Sequence, residues 1–327
     1  MTVGVVIPCH RQERFLSRTI AALERALEGR DWRGVLVLTG PGEAIPALSE
    51  RWRVIEPPQA SRGFLTPGAA RMLGFAACGG DWVLFVDADV EVDAAWVDVA
   101  LATAAREPAL GGLWGRLEEW FVDGASERRG SPDMHKVGDH DHRIAYMTTP
   151  ACYRREALLA AGGYDPRLSS EEDFELGLRM AKIGAELRSL GVRAGRHWSE
   201  PRPSFAELGR RWRNGLCFGQ GQVLRLYLGR PGFAALLKRQ SLYLATLGLW
   251  ALGLVALGVS LASGQGRALG AWLLLALGVL GVMSMRKRSV RLGLLSILTW
   301  TLNGCGLLVG FTRGTGAPLS AARGARA

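Results

Sequence analysis

No acidic residue occurs after Glu207 in this 327-residue chain, although 30 Asp and Glu stand at or before that point. Up to Glu207 those 30 acids are set against 25 Lys and Arg; beyond it come 15 Lys and Arg and no acid at all. The formal charge of +10 is therefore not spread over one basic surface. A uniformly basic chain would point to nucleic acid, which is not expected as a partner here. This split points to an acidic domain followed by a tail at a membrane. Cysteine is sparse: Cys9, Cys78, Cys152, Cys217 and Cys305 show no C-x-x-C spacing, which argues against a zinc site and a disulfide framework. Met1 to Pro8 lacks the basic n-region of a signal peptide and runs directly into a strand-like segment, so the acidic part is expected to stay in the cytosol. No internal repeat is evident.

What is present begins with apolar runs. Val3 to Ile7, closed by Pro8, reads as a first buried strand. Phe15, Leu16, Ile20, Leu23 and Leu27 follow at helical spacing. Val35 to Leu38 reads as a second strand, Val54-Ile55 as part of a third, and Gly68 to Ala77 as a helix ended by Gly79-Gly80. Strands alternating with helices predict an α/β fold, a mostly parallel sheet with helices on both faces. Residues 122–143 are polar with poor periodicity and read as a mobile loop. Its His135, His140 and His142, with Asp133, Asp139 and Asp141, lie on no evident rigid element, so solvation is favoured over metal binding. Ser169 or Ser170 is expected to cap a helix whose first turn holds Glu171, Glu172 and Asp173, where the helix dipole favours acids.

Past Glu207 the character changes. Residues 201–239 are basic with interspersed aromatics. Three uncharged stretches follow, 240–266, 268–285 and 292–312, each long enough for a helical span, the second at the short limit. Arg286, Lys287, Arg288 and Arg291 separate the second and third; Arg267 alone separates the first and second. The positive-inside rule then puts residues 201–239 and 286–291 in the cytoplasm. The expected organisation is an α/β domain over 1–225, a basic juxtamembrane segment over 226–239, three transmembrane helices within 240–312, and a flexible tail over 313–327.

The chemistry centres on residues 81–89. Val83 to Val86 is a short β-branched and aromatic run, and it stops at Asp87 and Asp89. Ligands of open α/β sheets bind beyond the carboxyl ends of the strands. A D-x-D there can hold a hard divalent cation through oxygen, and the cation can hold a diphosphate. A solvated acidic turn would look the same in isolation, so the rest of the chain has to decide.

Four stretches in order do so: Val5-Val6-Ile7-Pro8 with Glu13 beyond; Gly68-Ala69-Ala70-Arg71-Met72-Leu73-Gly74-Phe75; Val86-Asp87-Ala88-Asp89; and Gly162-Gly163-Tyr164-Asp165 leading to Glu172-Asp173. Together they resemble a family 2 glycosyltransferase with the GT-A fold, over roughly residues 3–225. The resemblance implies that Pro8, His10, Arg11 and Glu13 line the nucleotide pocket, and that Arg71 and Asp87 also serve the donor, Asp87 on the ribose or uracil side. Asp89 would ligate Mg²⁺ or Mn²⁺, with His197 as a further metal or diphosphate contact. Asp173 would be the general base on the acceptor hydroxyl. Arg211 and Trp212 fall on the last two positions of the Q-x-x-R-W motif of processive members, but its Gln is Leu208 here, which argues for transfer of a single sugar. Thr39 and Gly40 stand where an acid usually contacts the base, so a uridine donor is not implied.

The expected function is a multi-pass inner-membrane, metal-dependent, inverting glycosyltransferase with its catalytic domain in the cytoplasm. It would take a nucleotide-sugar donor and a glycan, lipid-linked or small-molecule acceptor of the cell envelope, in contact with membrane lipids. Two other readings compete. A sugar-nucleotide nucleotidyltransferase would need a Gly-rich basic loop after the first strand, and Pro8 to Glu13 contains no glycine. An inactive nucleotide-sugar-binding membrane scaffold would have no need of Asp87, Asp89 and Asp173.

Overall fold

The computed structural model describes residues 1–10, 13–40, 45–56, 65–200 and 204–316. It divides into two compact units, one of residues 1–201 with the C-terminal segment from 316, the other of residues 202–315.

The first unit is an α/β sheet. Its parallel half comprises β1 (Val3–Cys9), β2 (Trp32–Leu38), β3 (Trp52–Ile55) and β4 (Trp82–Phe85), ordered β3-β2-β1-β4 and paired parallel throughout. Two of its connections are helical: α1 (Glu13–Ala26) leads from β1 to β2 and α2 (Pro67–Ala77) from β3 to β4. Parallel neighbours need such crossovers. The sheet becomes mixed beyond β4, where connections shorten. It continues through β9 (Ala151–Arg154), β6 (Leu110–Asp123), β10 (Glu186–Ser199) and β5 (Val90–Val92), with β7 (Ser126–Arg129) beside β6 and β8 (Asp141–Arg143) beside β10. Four residues separate β4 from β5, and β7 folds back antiparallel on β6.

Alternation along the strands explains why both faces carry helices. Val5, Ile7, Leu36, Leu84 and Val86 pack in one core with Leu16, Ile20 and Leu23 of α1 and Trp96, Val97 and Leu101 of α3 (Ala94–Arg106). Val6, Val35, Val37, Val83 and Phe85 pack in the other with Ala70 and Phe75 of α2, Leu158 of α4 (Arg155–Ala160), and Leu176 and Met180 of α5 (Glu172–Lys182).

Residues 122–143 are not the irregular loop that their polarity suggests. Their start completes β6 and its hairpin with β7, and their end is β8 on β10. In between, the Asp133 carboxylate accepts from the backbone N–H groups of Val137 and Gly138 at 3.0 and 2.7 Å. Such local side-chain bonds replace ladder bonds and leave no hydrophobic period to read.

The second unit is helical: α6 (Ser204–Arg213), α7 (Gly219–Leu226), α8 (Phe233–Arg239), α9 (Ser241–Ser263), α10 (Arg267–Lys287) and α11 (Val290–Arg313). The last three are long and apolar enough to cross a membrane. The pair Gly306 and Gly310 on α11 lets backbone approach backbone: a Cβ at Gly306 would lie 2.4 Å from the Cys217 carbonyl oxygen, and one at Gly310 2.0 Å from that of Phe218. Arg225 donates to the carbonyls of Phe311 and Thr312 at 2.9 and 2.6 Å, satisfying the end of α11.

Candidate active site

Three parallel strands deliver side chains to their carboxyl ends, where an open α/β sheet binds ligands. Pro8 is paired in register with Val37 near the end of β1, and His10 follows the strand. The His10 Nδ1 lies 3.0 Å from Thr39 Oγ1 at the end of β2, and Thr39 Oγ1 lies 2.9 Å from the Cys9 carbonyl oxygen, to which it donates. Thr39, which replaces the expected acid, thus bridges the ends of β1 and β2. Glu13 opens α1, with its side chain outside the described residues, as is Arg11 entirely.

Asp87 and Asp89 follow β4. The backbone of this turn is fixed from three sides: Val90 N–H donates to the Asp87 carbonyl, Thr19 Oγ1 to the Ala88 carbonyl, and Trp198 N–H to the Asp89 carbonyl, at 3.0, 2.9 and 2.8 Å. The two carboxylates have different surroundings. Asp87 Oδ2 accepts from Thr149 Oγ1 at 2.5 Å, and its Oδ1 accepts from Arg71 Nη2 at 3.0 Å. Asp89 Oδ2 lies 3.4 Å from Nε2 of His197, which stands near the end of β10, 108 residues on in sequence.

This second pair fits a divalent cation. Asp89 Oδ2 and His197 Nε2, 3.4 Å apart, would be near enough to contact one ion together. His197 Nδ1 is 3.1 Å from Ser199 Oγ, so the far side of the ring is engaged and Nε2 faces the carboxylate. Burial works against the charged imidazole, but the hydrogen bond and charge of Asp89, with Asp87 and Glu119, outweigh it and raise its pKa. Among the described residues no group of three or more His, Cys, Asp and Glu has the spacing of a metal cage. Mg²⁺ is usually held by one or two carboxylates with water and phosphate completing the shell, so Asp89 is the group that fits and the His197 imidazole would be a secondary contact.

Arg71 organises the other half of the site. It lies on α2, whose first turn Thr66 caps by accepting from Ala69 N–H at 3.1 Å. Gly68 lets that turn press against the segment leading to α5: a Cβ there would lie 2.8 Å from the Asp165 carbonyl oxygen and 3.3 Å from Glu172 Cβ. The approach brings Arg71 Nη1 to 2.5 Å from Glu172 Oε1 and 3.5 Å from Asp173 Oδ1, while Nη2 reaches Asp87. Burial by itself would weaken the charged guanidinium, but Asp173, Asp87 and Glu172 together raise its pKa well above the ordinary value. Tyr164 lies beneath it, ring centroid 5.4 Å from Cζ.

Helix α5 starts at Glu172, with Glu171 as the N-cap residue in a left-handed conformation at φ 64° and no side-chain capping bond. The N-cap position is therefore Glu171 rather than Ser169 or Ser170. A non-glycine residue there is strained, a feature that clusters at functional sites. Asp173 follows in the first turn. Its Oδ1 is enclosed, yet the side chain as a whole keeps 18% exposure, so the accessible part is the rest of the group. Burial pushes its pKa up to about 8; Arg71 pulls down, while Glu172, Asp87 and Glu171 push further up.

Sequence reasoning took Glu172 for a dipole-compensating residue; the structure makes it the closest partner of Arg71. Thr149, Tyr153 and Tyr164 were not anticipated as parts of the site. His135 was set aside as solvated; it is exposed but lies tilted against Trp114 with ring centroids 5.5 Å apart, and it feels the charges of His197 and Asp87. Arg211 and Trp212 lie on α6 of the second unit, Arg211 beside the Cys217 thiol and Trp212 edge-on to Phe218 at 5.2 Å.

Residues 4–159 match the family described as Glycosyl transferase family 2. Two curated relatives, the pre-mycofactocin glycosyltransferases of Mycobacterium tuberculosis strains CDC 1551 and H37Rv, are each 28% identical over 204 residues, 57% of this chain. The chain spans 40% of the length of those relatives. Among solved structures, S. aureus TarS is similar at 17% identity and a TM-score of 0.46 over 69% of this chain and 64% of that one. GalNAc-T7 in complex with UDP, GalNAc and Mn²⁺ is similar at 17% identity and 0.44 over 62% and 44%.

Proposed function

We propose that this chain, whose residues 4–159 match Glycosyl transferase family 2, transfers one sugar from a nucleotide-sugar donor to an acceptor hydroxyl with inversion, and does so anchored in the inner membrane by α9, α10 and α11. The observation that carries the reading is a largely buried carboxylate of raised proton affinity, Asp173, held across one guanidinium from Asp87 at the carboxyl end of β4.

Asp173 accepts the proton of the acceptor hydroxyl as that oxygen bonds to the anomeric carbon. The bond from the anomeric carbon to the diphosphate breaks, and the nucleoside diphosphate leaves. A base on one face and a leaving group on the other make this a direct displacement. Asp89 and His197 would hold a Mg²⁺ or Mn²⁺ ion, which when bound neutralises charge on the leaving diphosphate. His10, Thr39 and Asp87 offer hydrogen-bonding groups to the nucleoside. A lipid-linked or cell-envelope glycan fits an enzyme with three apolar helices long enough to span a bilayer.

The test is release of nucleoside diphosphate from a panel of nucleotide sugars by the purified full chain, with and without membranes. Release that requires membrane material and disappears in Asp173→Asn is the expected result. Incorporation of sugar-1-phosphate into a nucleotide would instead establish the nucleotidyltransferase reaction.

A further inference from the structure

One guanidinium serves three carboxylates in the first unit. Arg71 approaches Glu172 to 2.5 Å, Asp87 to 3.0 Å and Asp173 to 3.5 Å, with 5% of its side chain exposed. A guanidinium has donors enough for three acceptors but a single charge. If all three acids were ionised, two negative charges would be left over in a largely dry site, which is costly. The contacts are unequal. Glu172 takes the shortest, and Asp173 stands beyond ordinary hydrogen-bond distance. The proposed base is thus the carboxylate that Arg71 approaches least closely, although the two charges still act strongly on each other. Nη2 points to Asp87, on the side where the nucleoside is expected, while Nη1 points to Glu172 and Asp173 on α5. The face of Tyr164 limits how far the guanidinium can shift, so its charge is divided between two sides of the site rather than moved between them.

We propose that Arg71 is a positioning residue that couples the donor side of the site to the base: a nucleotide sugar that donates a hydrogen bond to Asp87 takes over part of that carboxylate's demand on Arg71, and Asp173 then releases its proton to solvent while the donor is bound. The inference rests on the glycosyltransferase reading above. It deepens that reading, because the base would become competent only with the donor in place. The groups that face Asp173 are Arg71 from α2, Asp87 from the end of β4, Tyr153 from β9, Tyr164 from the turn before α5, and Glu171 and Glu172 from α5 itself. Burial raises the pKa of both phenols, so they stay neutral near pH 8 and the balance there lies between Arg71 and the acids. No covalent bond changes in this step.

Coupling of this kind is reciprocal: if the donor lowers the proton affinity of Asp173, a rise in pH tightens the donor. The experiment is equilibrium binding of UDP-, GDP-, ADP-, TDP- and CDP-glucose to the full chain in detergent with Mg²⁺ and no acceptor, from about pH 6.5 to about pH 9. The tightest binder is expected to gain about five- to tenfold in affinity over that interval, the low end of usual coupling. In Asp173→Asn the affinity should stay at its low-pH value throughout. Arg71→Lys should flatten the profile, because an ammonium cannot fork to three acids. Glu172→Gln removes the closest competitor for Arg71 and should move the rise to lower pH; it and the Asn variant decide the matter if Arg71→Lys does not fold. A flat wild-type profile, a weakening with pH, or a rise that persists in Asp173→Asn would overturn the coupling and leave the glycosyltransferase reading standing. Failure of all five nucleotide sugars to bind would overturn both.

Discussion

Asp173 is the residue whose environment most departs from that of an ordinary carboxylate. Its pKa near 8 lies above the usual 3.8 because burial disfavours the charge and three neighbouring acids repel it, and Arg71 only partly compensates. Activity should therefore rise with pH through about 8 in kcat/KM, which reports the free enzyme. A profile already flat at pH 6 would sink the assignment. The sign for stability is opposite. The folded state keeps a proton that the unfolded chain gives up near pH 3.8, so the contribution of Asp173 is fully present below that pH and is lost as pH rises toward 8. Asp173→Asn cannot ionise, so its melting temperature relative to the wild type should improve across the same interval. Its turnover should fall about 10² to 10⁴-fold, the usual loss of a general base. Asp89→Ala should lower activity by orders of magnitude with modest effect on folding, because it removes a charge at a strand end rather than core packing. Full activity in excess EDTA would count decisively against a metal there.

At the scale of elements, what the sequence revealed was what local pattern controls. Val83 to Val86 is short, apolar and stopped by acids, so its strand and the position of Asp87 and Asp89 could be read from nine consecutive residues. The contact between Arg71 and Glu172 could not. It joins residues 101 apart and depends on how closely α2 meets α5. Glu172 and Asp173 are adjacent acids with one sequence signature, and only packing separates a clamp from a base. The start of α5 was misjudged for a related reason: two serines satisfy the capping pattern, but the chain reaches the helix through a left-handed Glu171. Gly68 tests the contact between α2 and α5. In Gly68→Ala the new methyl meets the Asp165 carbonyl oxygen at 2.8 Å, so α2 must back away from α5 and loosen the grip of Arg71 on Glu172. The expected outcome is loss of activity together with a lower melting temperature. Gly79→Ala, where no atom lies within 4 Å, is the matched control and should change neither. Equal effects of the two would mean that the contact does not hold the site.

For the whole molecule, α9, α10 and α11 are long and apolar enough to cross a membrane, and the distribution of charge favours one direction for such a crossing. Helices α9 and α10 are joined by Gly264 to Gly266, with no charge until Arg267 opens α10. The join between α10 and α11 carries Arg286, Lys287 and Arg288, with Arg291 one turn further. Each basic residue near an anionic surface contributes roughly 1 kcal/mol, and translocating four of them opposes the membrane potential as well. The α10–α11 join is therefore expected inside and the α9–α10 join outside, which returns the chain before α9 to the cytoplasm, where nucleotide sugars are made. The basic helix α8, ending in Lys238-Arg239 directly before α9, pulls in the same direction. A reporter active only outside, fused after Ala262, should be active, and the same reporter inserted after Lys287 should be silent. Reversing the charge of the α10–α11 join, with Arg286, Lys287, Arg288 and Arg291 all changed to Glu, should weaken or invert that pattern and abolish activity in whole cells, while a detergent-solubilised preparation of the same variant keeps its nucleotide-sugar binding. If the reporters show the α10–α11 join outside in the unaltered chain, the catalytic domain faces away from its donor, and the proposed reaction cannot be the one this protein performs in the cell.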